Sequence, residues 1–266
     1  MQVPPSPSSP LQLRLGRWQD TLGAGELFDV LISDPPYSAT THNGHNSAED
    51  SADACMRRGI SYAWFTPADV EEFVVTLSPC VRGWFVIFTD DELAPVWKAE
   101  LWRSGRYVFA PLPFVERGSR VRRRGDGPSC WTNWIIVARP RNREFAGWGT
   151  LDGAYVAPPG TRERIKVPGL GRSLVGHKSQ WVMRSLVRDY SSPGDCIIDP
   201  CAGGGSTLIA AEAEGRMAVG IEMDEQSYEV ARWRLERIEH ADQSGVRGGA
   251  LPGPECVGGG EQHQTG

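Results

Sequence analysis

Close cysteine pairs are missing from this sequence. Its six cysteines, Cys55, Cys80, Cys130, Cys196, Cys201 and Cys256, include no C-x-x-C. Neither a zinc site nor a disulfide framework is indicated, and a reducing cytoplasm is the expected setting. Long apolar runs are missing too: none approaches the roughly 18–20 residues of a membrane span, and the opening residues lack the apolar segment of a signal peptide. His42 and His45 stand three apart, without a Cys or acid partner at zinc spacing, so no metal site is expected. There is no overall excess of positive charge. Lys and Arg number 28 against 33 Asp and Glu, for a net charge of −5, which argues against a protein that coats nucleic acid over its whole surface. What the chain does have is 266 residues, 40% of them hydrophobic, enough for one large α/β domain or a domain with a modest insertion.

The charge is unevenly spread. Between Arg103 and Arg172 stand fourteen Lys and Arg against five Asp and Glu, so the remainder sums to −14. A basic middle in an acidic chain points to one face built for a polyanion. Its densest part joins two expected strands over Pro113–Trp131 and holds Arg117, Arg120, Arg122, Arg123 and Arg124. Arginines at that density do not form core. They suit phosphate contacts, whose affinity falls steeply with salt. His42 and His45, in the long polar stretch 38–65, are read as facing nucleic acid or solvent, and Trp64 and Trp148 as residues able to wedge between bases.

The pattern predicts strands at residues 11–15, 29–33, 84–88, 107–111, 134–138, 196–199 and 217–221, mostly alternating with helices. That is a seven-stranded, doubly wound, mostly parallel sheet. Thr66-Pro67-Ala68-Asp69 is a helix start, with Thr as N-cap and Pro in the first turn, and the helix should reach Leu77. Residues 1–10 and 243–266 read as a disordered lead-in and tail. Between them a single domain is expected over 11–242: a catalytic half over 11–139, a target-recognition segment over 140–176 and a cofactor-binding half over 177–242.

Two stretches carry chemistry. The first is Val30-Leu31-Ile32-Ser33 followed by Asp34-Pro35-Pro36-Tyr37. Three apolar residues in a row read as a buried parallel strand. The two prolines donate no N–H and hold the chain extended, which leaves carbonyls, a carboxylate and an aromatic face at the strand's carboxyl end. A flat ring bearing an amine could stack on Tyr37 while its NH2 donates to Asp34 and to the carbonyl between the prolines. The second is a strand ending in Asp199, then Pro200-Cys201-Ala202-Gly203-Gly204-Gly205-Ser206-Thr207, a helix, and a strand tipped by Glu222-Met223-Asp224. Strand, glycine turn, helix and terminal acid form a nucleoside-binding unit, with Glu222 able to accept from ribose hydroxyls. The third glycine of a dinucleotide fold is missing, and Asp199 is poorly placed beside a pyrophosphate. It suits an ammonium instead, which favours S-adenosylmethionine over NAD.

With both motifs in view, the chain resembles the DNA amino-methyltransferases that modify the exocyclic nitrogen of adenine or cytosine. Asp34-Pro35-Pro36-Tyr37 matches their catalytic tetrapeptide, and Asp199–Thr207 is similar to their cofactor loop, with Cys201 in place of the usual aromatic. His177-Lys178-Ser179-Gln180 is similar to an element bordering the methionine part of the cofactor, although its prolines are missing here. The catalytic motif precedes the cofactor motif, as in the permuted, beta-class group, and the resemblance spans roughly residues 11–240. It implies a Rossmann-like methyltransferase fold, circularly permuted, with a small target-recognition insertion; S-adenosylmethionine as cofactor; and duplex DNA as partner in a bacterial or phage cytoplasm. It also implies an N-terminal strand continuing the sheet, with Trp18 and Asp20 beside the cofactor's adenine and Asp20 accepting from its amino group. Asp at the head of the tetrapeptide leans to adenine N6; cytosine N4 is the alternative. RNA or protein-amide methylation, or a non-catalytic DNA-binding relative, are further alternatives. A homodimer, a cognate restriction nuclease and the recognition sequence stay open.

Overall fold

The structure, a computed structural model, describes residues 10–46, 63–117, 130–141, 148–161, 165, 167 and 177–243. At its centre lies β2 (Val30–Ser33), four residues that are all buried. Leu31 points into one apolar cluster, with Phe73, Phe85, Ile87 and Trp97. Val30 and Ile32 point into the other, with Val86, Phe88, Leu186 and Ile197. Both faces of the strand are covered, which is why its sequence is a continuous apolar run without polar alternation.

Around β2 the sheet is parallel. It pairs with β8 (Cys196–Asp199) on one side and β3 (Phe85–Thr89) on the other. β8 pairs with β9 (Met217–Glu222), and β9 with the N-terminal β1 (Leu11–Leu15), in register from Leu11 opposite Ala218 to Leu15 opposite Glu222. The first strand of the chain thus extends the sheet built by its last two, the arrangement that the resemblance implied. Beyond β3 the sheet turns mixed. β6 (Thr132–Arg139) runs antiparallel to β3, to β4 (Tyr107–Val108) and to β5 (Leu112–Glu116), and β5 pairs with β7 (Tyr155–Ala157). The order is β1-β9-β8-β2-β3-β6-β5-β7, with β4 also on β6: nine strands among the described residues.

Helices cover both faces: α3 (Pro67–Leu77) and α4 (Ala94–Arg103) on one, α5 (Gln180–Tyr190) and α6 (Ser206–Ala213) on the other. The start of α3 is the expected one. Thr66 Oγ1 accepts from the Asp69 N–H, and the Asp69 carboxylate accepts from the Thr66 N–H at 2.7 Å, a reciprocal capping box. Short α1 (Trp18–Thr21) and long α7 (Glu225–Gln243) flank the β1–β9 edge. No helix among the described residues is long and apolar enough to cross a membrane.

Three segments differ from expectation. Part of the polar stretch 38–65 is a helix, α2 (Ala39–Asn46); its weakly patterned sequence is fixed by tertiary bonds to Asp90. Leu112–Glu116, most of it expected to belong to the connection Pro113–Trp131, is a strand whose Phe114 is 1% exposed, and its pairing with β7 begins only after the proline. Within 140–176, where no regular element was expected, Tyr155–Ala157 forms the edge strand β7.

Candidate active site at the carboxyl edge of the sheet

Because β1, β9, β8, β2 and β3 are parallel, the segments after them leave the sheet at one edge. Asp34-Pro35-Pro36-Tyr37 follows β2, and the glycine turn follows its neighbour β8. The two loops are tied at their roots: Ser33 Oγ donates to Asp199 Oδ1 at 2.7 Å. Asp199 also accepts from the Cys201 N–H at 3.1 Å and from Thr207 Oγ1 at 2.5 Å. Burial pushes its carboxyl up to about 6, against the pull of those donors and with the Asp34 charge adding to the rise. The Cys201 thiol is raised well above its usual range, chiefly by burial, in keeping with a packing residue rather than a nucleophile.

The carboxylate of Glu222, at the tip of β9, accepts from the Gly203 N–H at 2.6 Å and the Asp224 N–H at 2.7 Å, and burial raises it. It therefore shapes the glycine turn while keeping a lone pair on each oxygen. Gly205 opens α6 at φ +76°, and a Cβ there would lie 3.1 Å from the Ala231 Cβ on α7. Gly205→Ala should lower stability by about 1–2 kcal/mol, the scale of a left-handed residue bearing a Cβ, measured by denaturant unfolding.

A cavity of about 340 Å³ opens between these loops. Asp34, Pro36, His177, Lys178, Asp199, Pro200, Cys201, Ala202, Gly203, Ser206, Thr207, Glu222 and Met223, all candidates from the sequence, line it, with Gly204 beside them. Pro35 is buried next to it, and the half-buried Tyr37 donates from Oη to Asp34 Oδ1 at 3.0 Å. Other expected residues stand elsewhere. Asp20 is exposed and does not line the cavity; on the single turn of α1, Trp18 and Gln19 face the cavity and Asp20 faces out. Asp224 accepts from the Ser227 N–H and hydroxyl at 2.9 Å, as the cap of α7. Ser179 is the buried N-cap residue of α5, and Gln180 donates to the Ser206 carbonyl at 3.0 Å, which ties α5 to the start of α6. Gly205 supplies the turn and the α7 contact without lining the cavity.

Two residues gain roles that the sequence left unread. Lys178 Nζ lies 2.5 Å from Asp34 Oδ2, with side-chain exposures of 12% and 24% for the pair. Asp90, just after β3, is 6% exposed and accepts from the Ser38 N–H at 2.9 Å, the Ser38 hydroxyl at 2.5 Å, the Thr41 hydroxyl at 2.6 Å and the Leu93 N–H at 3.0 Å. It thereby anchors the chain directly behind Tyr37. Trp64 lines the cavity and is 44% exposed, and its neighbour Phe65 donates its N–H to the Tyr37 carbonyl at 3.0 Å.

The basic connection is described at its ends. Arg117 is exposed, with its guanidinium 6.0 Å from the exposed Trp131 ring, and the Glu116 N–H bonds the Trp131 carbonyl at 2.9 Å. β5 runs in the direction of β3, so Arg117 and Trp131 emerge at the same edge as the site. Arg120, Arg122, Arg123 and Arg124 lie outside the described residues, as does the side chain of His45. His42 is a correction: it is 8% exposed, packed edge-to-face on Trp64 at 5.5 Å, not turned to solvent or nucleic acid. Trp148 is half-buried against the core, donating to the Asp189 carbonyl at 2.8 Å.

A family model described as DNA methylase, of the N6/N4 type, matches residues 170–232. YubD of Escherichia coli (strain K12) is 36% identical over 64 residues, 24% of this chain. The type II methyltransferase M.HinfI of Haemophilus influenzae is 32% identical over 78 residues, 29% of this chain. These matches span 28% and 22% of the two relatives' own lengths. Among solved structures, the M1.HpyAVI–SAM complex superposes with a TM-score of 0.57 at 18% identity, covering 84% of this chain and 99% of that one. PvuII DNA methyltransferase, cytosine-N4-specific, gives 0.60 at 12% identity, covering 90% and 93%. Over residues 170–232 the chain matches that family model, and over most of its length it shares its fold with these solved structures.

Proposed function

We propose that the protein transfers a methyl group from S-adenosylmethionine to the exocyclic amine of a base flipped out of duplex DNA, adenine N6 being the favoured target and cytosine N4 the second. The observation that carries this reading is the shared cavity, bounded on one side by the glycine turn and on the other by Asp34 and Pro36. The residues around it fit the cofactor. Gly203 and Gly204 let a ligand approach the backbone, Glu222 keeps lone pairs for ribose hydroxyls, and Asp199 puts a carboxylate where a methionine ammonium would sit. When bound, the cofactor supplies a methyl group carried on a cationic sulfur.

The chain's own residues supply the rest. An exocyclic amine is a poor nucleophile because its lone pair is delocalised into the ring. Acceptance of its two N–H groups by Asp34 and the Pro35 carbonyl favours a pyramidal nitrogen with a freer lone pair. The Tyr37 ring offers a stacking face that offsets part of the few kcal/mol lost on unstacking. Holding amine and methyl in line contributes up to roughly 7–11 kcal/mol in well-oriented systems. The basic segment that starts at Arg117 leaves the sheet beside this site and supplies phosphate contacts, with 140–176 as target-recognition segment.

One pH dependence follows from Asp199. A carboxyl held at about 6 is ionised above that value and neutral below it, and only the ionised form attracts an ammonium. Cofactor affinity should therefore weaken as pH falls through about 6. The same group acts on stability in the opposite sense: its contribution favours the folded state fully below the usual carboxyl range and is lost as pH rises through about 6. Titration calorimetry with S-adenosylmethionine across this range reads the first effect, and a flat profile would remove Asp199 from the ammonium.

The proposal is tested by expressing the chain in a host free of DNA methylation and sequencing its modified bases. One short motif carrying N6-methyladenine or N4-methylcytosine is expected. DNA left unmodified by a protein that binds the cofactor would turn the reading to RNA, protein or a non-catalytic role.

A further inference from the structure

We infer that Lys178 is a specificity-determining residue: it donates to the ring nitrogen beside the target amine and, with Asp34, selects bases whose Watson–Crick edge sets an amine beside an acceptor. This rests on the methyltransferase reading above.

The ammonium is held in place. Nζ lies 2.5 Å from Asp34 Oδ2, 5.2 Å from the centre of the Tyr37 ring and 4.9 Å from that of Phe88. Ion pair and ring faces together fix it on the wall of the cavity that also exposes Asp34. Its backbone is equally fixed, one residue before the buried N-cap of α5. An ammonium has three donors and no acceptor, and a carboxylate oxygen accepts more than one bond. Lys178 can therefore keep Asp34 Oδ2 and offer a second N–H to a ligand that Asp34 is binding. The site then presents an acceptor and a donor side by side.

That order matches some base edges and opposes others. Adenine carries its N6 amine beside the N1 acceptor, and cytosine its N4 amine beside the N3 acceptor. On its Watson–Crick edge guanine carries its N2 amine beside N1–H, two parallel donors that a bare carboxylate would take with both oxygens. With Lys178 on Oδ2, the guanine N1–H meets another donor. The lysine thus turns a carboxylate suited to guanine into a reader of adenine or cytosine, and it does so by repulsion as well as attraction.

The test is a cycle between protein and base, read by competition binding to duplexes carrying the motif that the enzyme modifies. The target base is either natural or its deaza analogue lacking only the ring nitrogen, 1-deazaadenine or 3-deazacytosine. The missing ring nitrogen also weakens the target base pair and eases flipping by the same amount for every variant. Beyond that common shift, wild-type protein should bind the deaza duplex roughly tenfold or more weakly, the scale of a hydrogen bond from a charged donor. Lys178→Met should show only the common shift, and Lys178→Arg, which keeps a donor, should retain the wild-type penalty. Equal penalties in wild type and Lys178→Met overturn the inference. A protein that leaves no mark on host DNA overturns the methyltransferase reading itself, and the inference with it.

Discussion

Asp34→Ala should bind S-adenosylmethionine and fail to transfer its methyl group. The side chain belongs to the tetrapeptide after β2, so the backbone of the glycine turn is untouched. What is lost is the acceptor for one amine hydrogen. Removing one preorganised hydrogen-bonding partner from a transition state lowers turnover roughly 10²–10³-fold, and here the loss is larger, because Lys178 is left facing the incoming amine with no anion between them. The variant should also lose about 1–3 kcal/mol of stability, because a largely buried ammonium loses its partner. The double variant Asp34→Ala/Lys178→Met separates these effects: unfolding free energy should recover, and methyl transfer should not. Turnover restored in the double variant would make Asp34 a structural counter-ion rather than the amine's acceptor.

Asp90→Ala should damage activity from a distance. Its carboxylate collects two backbone N–H groups and two hydroxyls, and three of these four donors belong to Ser38 and Thr41, directly behind Tyr37. Without it these donors sit in a dry site, at a cost on the order of 3 kcal/mol or more. Tyr37 and Asp34 also lose the anchor that holds their loop, so methyl transfer should fall far more than cofactor affinity. Burial alone would raise the Asp90 carboxyl, but the donors outweigh it and hold it below its usual range. The sign of the linkage follows: Asp90 contributes its stability above the usual carboxyl pKa and loses it as pH falls through the depressed folded value. Wild-type protein should therefore show an acid unfolding limb that is shallower in Asp90→Ala, read by denaturant unfolding at a series of pH values.

The parts of this fold that were legible in the sequence are those whose cause is local. Val30-Leu31-Ile32 reads as a two-faced buried strand because each face needs an apolar residue, and Thr66-Pro67-Ala68-Asp69 reads as a helix start because cap, proline and reciprocal acid are contiguous. The glycine turn and its terminal Glu222 were legible for the same reason. What stayed hidden depends on partners far along the chain. α2 carries no usable periodicity and is pinned by Asp90, about fifty positions away. Lys178 reaches Asp34 across 144 positions, so no spacing rule could pair them. Asp20 was misplaced because which residue of a single helical turn faces a cavity depends on how that turn is docked, here by Trp18 packing on Phe73 at 5.5 Å. Asp224 is different: an acid three residues before Ser227, at the head of a helix, is a cap signal that was available.

The most direct test follows the methyl group itself. Purified protein is incubated with methyl-deuterated S-adenosylmethionine and duplex DNA containing its motif, and the DNA is digested to nucleosides for mass analysis. Deoxyadenosine or deoxycytidine bearing one trideuteromethyl group on its exocyclic nitrogen, formed by wild type and absent with Asp34→Ala, is the predicted result. Label on no base, or equal label with Asp34→Ala, would contradict a site in which Asp34 receives the amine across the cavity from the glycine turn.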